Sequence, residues 1–276
     1  MVLISIVMGY YNRKSQIINT LNNFQKKYGN RTDFEVVIVD DYSVPKEQLY
    51  DILDNYTFSI NYIFITEKEK GDRINPGYVY NKGFSAAKGK IIIIQNPECY
   101  HVNNIMDYTI KNLQENQYFV YSCYATMNQT STDKLLEQKD IIKTLENNNW
   151  STCLATRPNK MSNGMWYNHP LIRPVGLHFC SAIFKSQLDM LGGFDKIFDD
   201  GFSYEDSAFL LSIEYKLKLQ ILIKFPQEGL VIHQFHGRSH YNEDYDVIRR
   251  KKHIRNMRLY EVLKKNCLEK GVYTLK

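Results

Sequence analysis

The sequence predicts an α/β fold built on a mostly parallel central sheet flanked by helices. Short β-branched apolar runs recur roughly every 25 to 30 residues through the first half of the chain. Between them lie stretches whose apolar residues repeat with helical periodicity. The runs are also nearly unbroken in hydrophobicity, as expected of strands covered on both faces. Strand–helix–strand units of this length imply parallel pairing through right-handed crossovers.

The elements follow in order. LISIVM (Leu3–Met8), FEVVIV (Phe34–Val39), INYIFI (Ile60–Ile65) and IIIIQ (Ile91–Gln95) are the predicted strands. Lys14–Lys27, Pro45–Asn55 and Pro76–Lys88 are the predicted helices, with Pro45 and Pro76 suited to a first helical turn. The polar stretch from Cys123 to Pro170, with TMNQTSTDK and ENNNWST, is expected to be a flexible insert over the site. LHFCSAIF (Leu177–Phe184), LQILIKF and GLVIHQF are further strands, and AFLLSIEYKL is a helix. From Tyr241 onward the chain is a charged amphipathic helix or tail.

Composition excludes several classes. With 276 residues, 43% hydrophobic and 24% charged, the chain can bury a sizeable core. Five cysteines without CxxC spacing argue against a disulfide framework or zinc knuckle and for a reducing compartment. The apolar run in MVLISIVMGYYNRK is too short for a signal peptide, and no run is long enough to span a membrane. A cytoplasmic, soluble protein is expected, with peripheral membrane contact left open. The net charge of +5 is concentrated in RRKKHIRNMR (Arg249–Arg258), read first as a solvated helix face and second as a polyanion or headgroup contact. Nucleic acid is not expected as a partner, and the C-terminal helix offers a surface for self-association.

In parallel sheets ligands bind beyond the carboxyl ends of the strands. Those ends read GYYNR, DDYS and QNPECYH. Neither GxGxxG nor GxxxxGK[ST] occurs, so a nucleotide here would be held by side chains rather than by a glycine cradle.

Taken together, these segments resemble the GT-A (Rossmann-like) glycosyltransferases of family 2. SIVMGYYNR is similar to the first strand and Tyr-Asn turn of that family, and VIVDDYS to its VDDGS-type nucleoside loop. YNKGFSAAKGKIIII resembles its Asn-x-Gly helix and the strand bearing the metal motif. FCSAIFKSQLDMLGGFD with FSYEDSAFLLSI resembles the acceptor block that ends in Glu-Asp. The match runs over roughly residues 1–240. It implies a nucleotide-binding half (1–122), an acceptor and catalytic half (123–240) and a helical extension (241–276).

The resemblance further implies a hexosyl- or glycosyl-transferring enzyme of inverting mechanism. Its donor would be a nucleotide-diphosphate sugar, most simply a UDP-sugar, and its acceptor the hydroxyl of a glycan, glycoprotein or other molecule. Asp41 would accept from the base, where a charged acceptor makes a short, directional bond. Asp40 and the turn Tyr10, Tyr11, Asn12, Arg13 would line the nucleoside pocket, with Arg73, Asn81, Gln95 and Asn96 as further donor contacts. Asp40 could equally cap its own turn.

At the metal motif the chain departs from the family's DxD, offering Asn96-Pro97-Glu98. One glutamate holds a divalent ion poorly, so Glu98, Asn96 and His233 form the expected ligand set. His236 is the competing histidine, on the opposite face if the strand continues. Mg²⁺ or Mn²⁺ suits the oxygen ligands, and imidazole favours Mn²⁺. Asp206 is implied as the general base and Glu205 as the residue orienting the acceptor, against the plainer reading that they cap a helix. His169 and His178 flank the presumed acceptor groove, and Trp166 is read as an exposed-loop aromatic of the kind that stacks on sugar rings, with core packing the plainer reading for Trp166 and His178. The rival readings are a binding protein of the same fold with impaired catalysis and, less well supported, a nucleotidyltransferase.

Overall fold

The computed structural model describes residues 2–146, 163–237 and 243–275. In chain order its elements are β1 (Ile4–Tyr10), α1 (Lys14–Tyr28), β2 (Phe34–Asp40), β3 (Ser59–Phe64), α2 (Glu67–Lys70), α3 (Gly77–Ala86), β4 (Ile91–Gln95) and β5 (Cys99–His101). Then come α4 (Ile105–Asn112), β6 (Gln117–Val120), β7 (Ser122–Thr126), α5 (Gln129–Leu136), α6 (Ile141–Glu146) and β8 (Gly164–Asn168). The last are β9 (Cys180–Phe184), α7 (Lys185–Leu191), α8 (Glu205–Tyr215), β10 (Gln220–Ile223), β11 (Leu230–His233) and α9 (Glu243–Lys270).

The main sheet has the order β10-β6-β9-β4-β1-β2-β3. Only β9 is antiparallel, to β4 and to β6. The unbroken apolar runs follow from burial on both faces. Ile4, Ile6 and Met8 pack with Ile17, Leu21 and Phe24 of α1. Val7, Val37 and Val39 pack on the other side with Val79 and Phe84 of α3 and Phe209 of α8. Each such side chain contributes about 1.5–3 kcal/mol by leaving water. Gly83 lets α3 lie this close, since a Cβ there would sit 2.5 Å from Val7 Cγ1.

Two sequence expectations need correction. Pro45–Asn55 is not a helix but two 3₁₀ turns, Pro45–Glu47 and Leu53–Asn55, with Gln48 extended between them. Glu47 is engaged elsewhere: its carbonyl accepts from Tyr10 Oη (2.5 Å) and its carboxylate from the Lys14 amide (3.0 Å) that opens α1. A continued helix would need that carbonyl for its own ladder.

The stretch after Cys123 is, where described, ordered rather than an irregular insert. β7 and β8 belong to a second sheet of order β5-β11-β7-β8. Tyr124, Leu135, Ile141, Trp166, Leu230 and Ile232 form its core. These strands are too short to be read from periodicity, and the other partner of β7, β11, lies about a hundred residues further on. The Asn147–Thr152 part of ENNNWST, and Cys153, lie outside the described residues.

The two halves expected from the sequence interleave, because β9 and β10 return to the main sheet. α9 begins at Glu243, Tyr241 being outside the described residues, and packs its Leu263 against Phe198 and Ala208 beside α8. No helix among the described residues is long and apolar enough to cross a membrane.

Candidate active site

The carboxyl ends of β1, β2 and β4, the N-terminus of α8 and the chain after β11 converge on one cleft of about 780 Å³. Of the residues singled out in the sequence, Tyr10, Tyr11, Asn12, Arg13, Asp41, Asn96, Glu205 and Asp206 line it. His178 and His236 line it as well.

The turn after β1 is fixed by Asn12, which adopts a left-handed φ of 49°. Asparagine tolerates that region because its short polar side chain bonds locally. Here its Oδ1 accepts from the Val44 amide at 3.0 Å, while its own amide donates to Ser43 Oγ at 2.9 Å. The GYYNR and DDYS strand ends are thereby stapled together. Asp41 reaches the cleft and pairs with Lys70. Burial raises its carboxyl above the ordinary value, and Lys70 opposes the rise.

Four expected donor contacts do not line the cleft. Asp40 is fully buried and spends both oxygens inside the fold, on the Ser43 amide (2.7 Å) and on Tyr62 Oη. Gln95 is fully buried too, donating to the Cys99 carbonyl (2.8 Å) and bonding His101 Nε2 (2.6 Å). Asn81 clamps the backbone of Phe194 from both sides, at 2.9 and 2.8 Å. Arg73 stacks over the Tyr78 ring at 4.0 Å.

At the end of β4, Glu98 is 1% exposed and is the centre of a charged cluster. Its Oε1 accepts from Arg13 Nη1 at 2.6 Å and lies 3.0 Å from His233 Nε2 and 3.6 Å from His236 Nε2. Burial works to raise the Glu98 carboxyl, but Arg13 and then His233 outweigh it and hold the group well below the usual carboxylate range. The two histidines do not point apart. β11 ends at His233, before His236, and the two rings come to 5.3 Å between centroids.

Glu98, His233 and His236 each offer a ligand atom, all within 4.8 Å of one another. Glu98 Oε2 is buried without a hydrogen-bond partner. A carboxylate with one oxygen beside two imidazoles and the other buried without a partner fits a divalent cation, and this mixed O/N donor set suits Mn²⁺ better than Mg²⁺. Asn96 sits beside the cluster but commits its Oδ1 to Tyr80 Oη at 3.1 Å, turning Nδ2 toward Glu98 at 3.5 Å.

Also lining the cleft, α8 opens with the acidic pair. Ser203 and Tyr204, just before it, both have left-handed φ, 61° and 70°. Outside glycine such a conformation costs on the order of 1–3 kcal/mol, and it concentrates at sites where geometry is imposed. Glu205 is buried and accepts from Asn75 Nδ2 at 2.7 Å. Burial, and then its neighbour Asp206, push its carboxyl up to about 8. Asp206 lines the cleft and accepts the Ser207 amide at 2.7 Å. A carboxyl kept protonated in this way serves as an acid or hydrogen-bond donor rather than as a base.

Trp166 is not an exposed-loop aromatic. It lies on β8, 6% exposed, edge-on to Tyr124 at 5.2 Å. His169 is buried beside it, its Nδ1 accepting the amides of Leu171 (3.2 Å) and Ile172 (3.1 Å). His178 packs edge-on against Tyr80 at 5.3 Å, and burial lowers its imidazole while Asp206 opposes. Lys70, Tyr80 and Asn75 were not anticipated. Nothing in their local sequence separates them from surface or core residues of the same types.

The family description "Glycosyl transferase family 2" matches residues 5–175. Among solved structures, S. aureus TarS 1–349 is 14% identical with a TM-score of 0.53, covering 84% of this chain and 60% of that one. The same protein in complex with UDP-GlcNAc matches at 14% identity and TM-score 0.53, covering 92% and 66%. The mannosyltransferase PcManGT from Pyrobaculum calidifontis, in complex with GDP-Man and Mn²⁺, matches at 16% identity and TM-score 0.51, covering 91% and 61%. At these identities the likeness is one of fold, the GT-A fold. The chain spans about three fifths of the length of TarS 1–349 and of PcManGT. A search of curated protein sequences returns no match.

Proposed function

The chain belongs to glycosyl transferase family 2, and from that premise we propose an inverting transfer of a sugar from a nucleotide-diphosphate sugar, in the first instance a UDP-sugar, to a hydroxyl acceptor. The observation that carries this reading is the convergence of two chemistries on one cleft: the carboxylate of Asp206, and the Arg13–Glu98–His233–His236 cluster, which reaches the cleft through Arg13 and His236.

In this reading Asp206 takes the proton of the acceptor hydroxyl as its oxygen bonds to the anomeric carbon. The bond from that carbon to the diphosphate oxygen breaks, and its electron pair leaves with the nucleoside diphosphate. General-base catalysis of this kind contributes typically 10²–10⁴-fold. Glu205, kept as the neutral acid, orients the acceptor by hydrogen bonding rather than competing for the proton. Asp41 accepts from the base and Asn12 shapes the pocket around it. Arg13 and Lys70 face the departing diphosphate, where positive charge favours the transition state. Glu98, His233 and His236 would hold a divalent ion, Mn²⁺ by preference, which supplies Lewis-acid neutralisation of the leaving group. The acceptor is the hydroxyl of a glycan, glycoprotein or other molecule.

The test is turnover of UDP-GlcNAc, UDP-glucose and GDP-mannose with Mn²⁺, read as released nucleoside diphosphate, for wild type and Asp206→Asn. The variant should bind UDP as the wild type does and lose about 10²–10⁴-fold in turnover. Full turnover by a folded Asp206→Asn protein refutes the base assignment.

A further inference from the structure

α9 is densely charged, yet its Asn256 is fully buried. A polar side chain at such a place must find partners, and this one finds them in the turn that leads into the acidic pair. Asn256 Nδ2 donates to the Phe198 carbonyl at 3.0 Å and to the Ser203 carbonyl at 2.9 Å. Its Oδ1 accepts from Arg255 Nη1 at 2.8 Å, and the same guanidinium nitrogen donates to the Ile197 carbonyl at 2.9 Å. The Phe202 amide donates to the Lys252 carbonyl of α9 at 3.3 Å. The Tyr204 ring stacks on Tyr260 and lies against His253, each at 5.2 Å. Gly201 leaves the room this requires, because a Cβ there would lie 1.8 Å from Asn256 Oδ1.

These contacts bracket Ser203 and Tyr204, two consecutive residues among the five described non-glycine residues with left-handed φ. Such strain persists only where the surroundings over-determine it. The next residues are Glu205 and Asp206. α9 also lies outside the stretch that matches the family, residues 5–175.

We propose that Asn256 is a positioning residue for the acidic pair: through it α9 holds the turn before α8 and sets the aim of Glu205 and Asp206 into the cleft. The inference rests on the reading of Asp206 as the base. Freed of Asn256, Ser203 and Tyr204 relax toward ordinary backbone conformations and the Asp206 carboxylate shifts with them. Nucleotide binding, assigned to the ends of β1 and β2, is left alone.

The experiment compares wild type, Asn256→Ala, Gly201→Ala and Asp206→Asn, each at a temperature well below its own Tm. Turnover is measured on the best of UDP-GlcNAc, UDP-glucose and GDP-mannose, and affinity for UDP by calorimetry. Asn256→Ala is expected to lower kcat by about 100-fold, the scale on which a misplacement of about 1 Å acts, with donor KM and UDP Kd unchanged within about twofold. Gly201→Ala keeps the asparagine but displaces its amide, and should give the same split. It decides the matter if Asn256→Ala does not fold. Full kcat in the folded variants overturns the proposal, and so does a loss of kcat matched by an equal loss of UDP affinity. An inactive Asp206→Asn beside a fully active Asn256→Ala refutes positioning alone. A fully active Asp206→Asn, or a wild type that turns over none of the three donors, refutes the reading beneath it.

Discussion

Replacing Glu205 by glutamine should change how stability depends on pH far more than how stable the protein is at pH 6. Glu205 is buried, and its carboxyl is pushed up to about 8 by burial and by Asp206. A carboxyl whose folded value lies above its ordinary 4.5 favours the fold in its protonated form. Its contribution is therefore complete below pH 4.5 and is lost as pH rises toward 8. Between pH 6 and pH 8 the unfolded chain carries the charge while the folded chain holds the proton, and each pH unit in that window costs at most about 1.4 kcal/mol. Allowing for partial titration near the upper end, the loss is about 2 kcal/mol, or roughly 4–8 °C in Tm for a chain of this size.

Glutamine mimics the neutral acid and cannot titrate. Tm measured from pH 6 to pH 8 should fall more steeply for the wild type than for Glu205→Gln, with the variant the more stable at pH 8. Asp199 is pushed up to about 6 by burial and titrates in both proteins, so the difference between the two curves isolates Glu205. Parallel curves would show that Glu205 is already ionised in the fold, and the division of labour within the acidic pair would fall with it.

Two further outcomes follow from the same structure. His236→Ala should weaken Mn²⁺ binding, followed by electron paramagnetic resonance of the free ion, by at least about tenfold. An unchanged affinity would leave only Glu98 and His233 as ligands. Trp166→Ala, by contrast, should destabilise the second sheet by about 3–5 kcal/mol while leaving kcat on the chosen donor within about twofold. A selective loss of turnover without loss of Tm would return Trp166 to the acceptor groove.

The strand runs, the helices after β1 and before β4, and the polar strand ends could be read locally, because burial on both faces and helical periodicity leave their marks in consecutive residues. Asn96-Pro97-Glu98 could be read as a departure from DxD for the same reason. Which polar side chain faces the cleft could not. Asp40 and Asp41 are adjacent and identical in type, yet one is buried under Ser43 and Tyr62 while the other pairs with Lys70 in the cleft. Gln95, expected as a donor contact, instead answers a buried histidine, His101, six residues on.

The sequence by itself thus determined the α/β sheet, its parallel half and the acidic start of α8, since those depend on patterns short enough to lie in one segment. Tertiary structure alone decided the rest. It brought His236 beside His233 onto Glu98, and it joined Asn256 of α9 to the turn before Glu205. Both depend on where chain segments tens to more than a hundred residues apart come to rest, and hydrogen-bond partners at that separation leave no local trace.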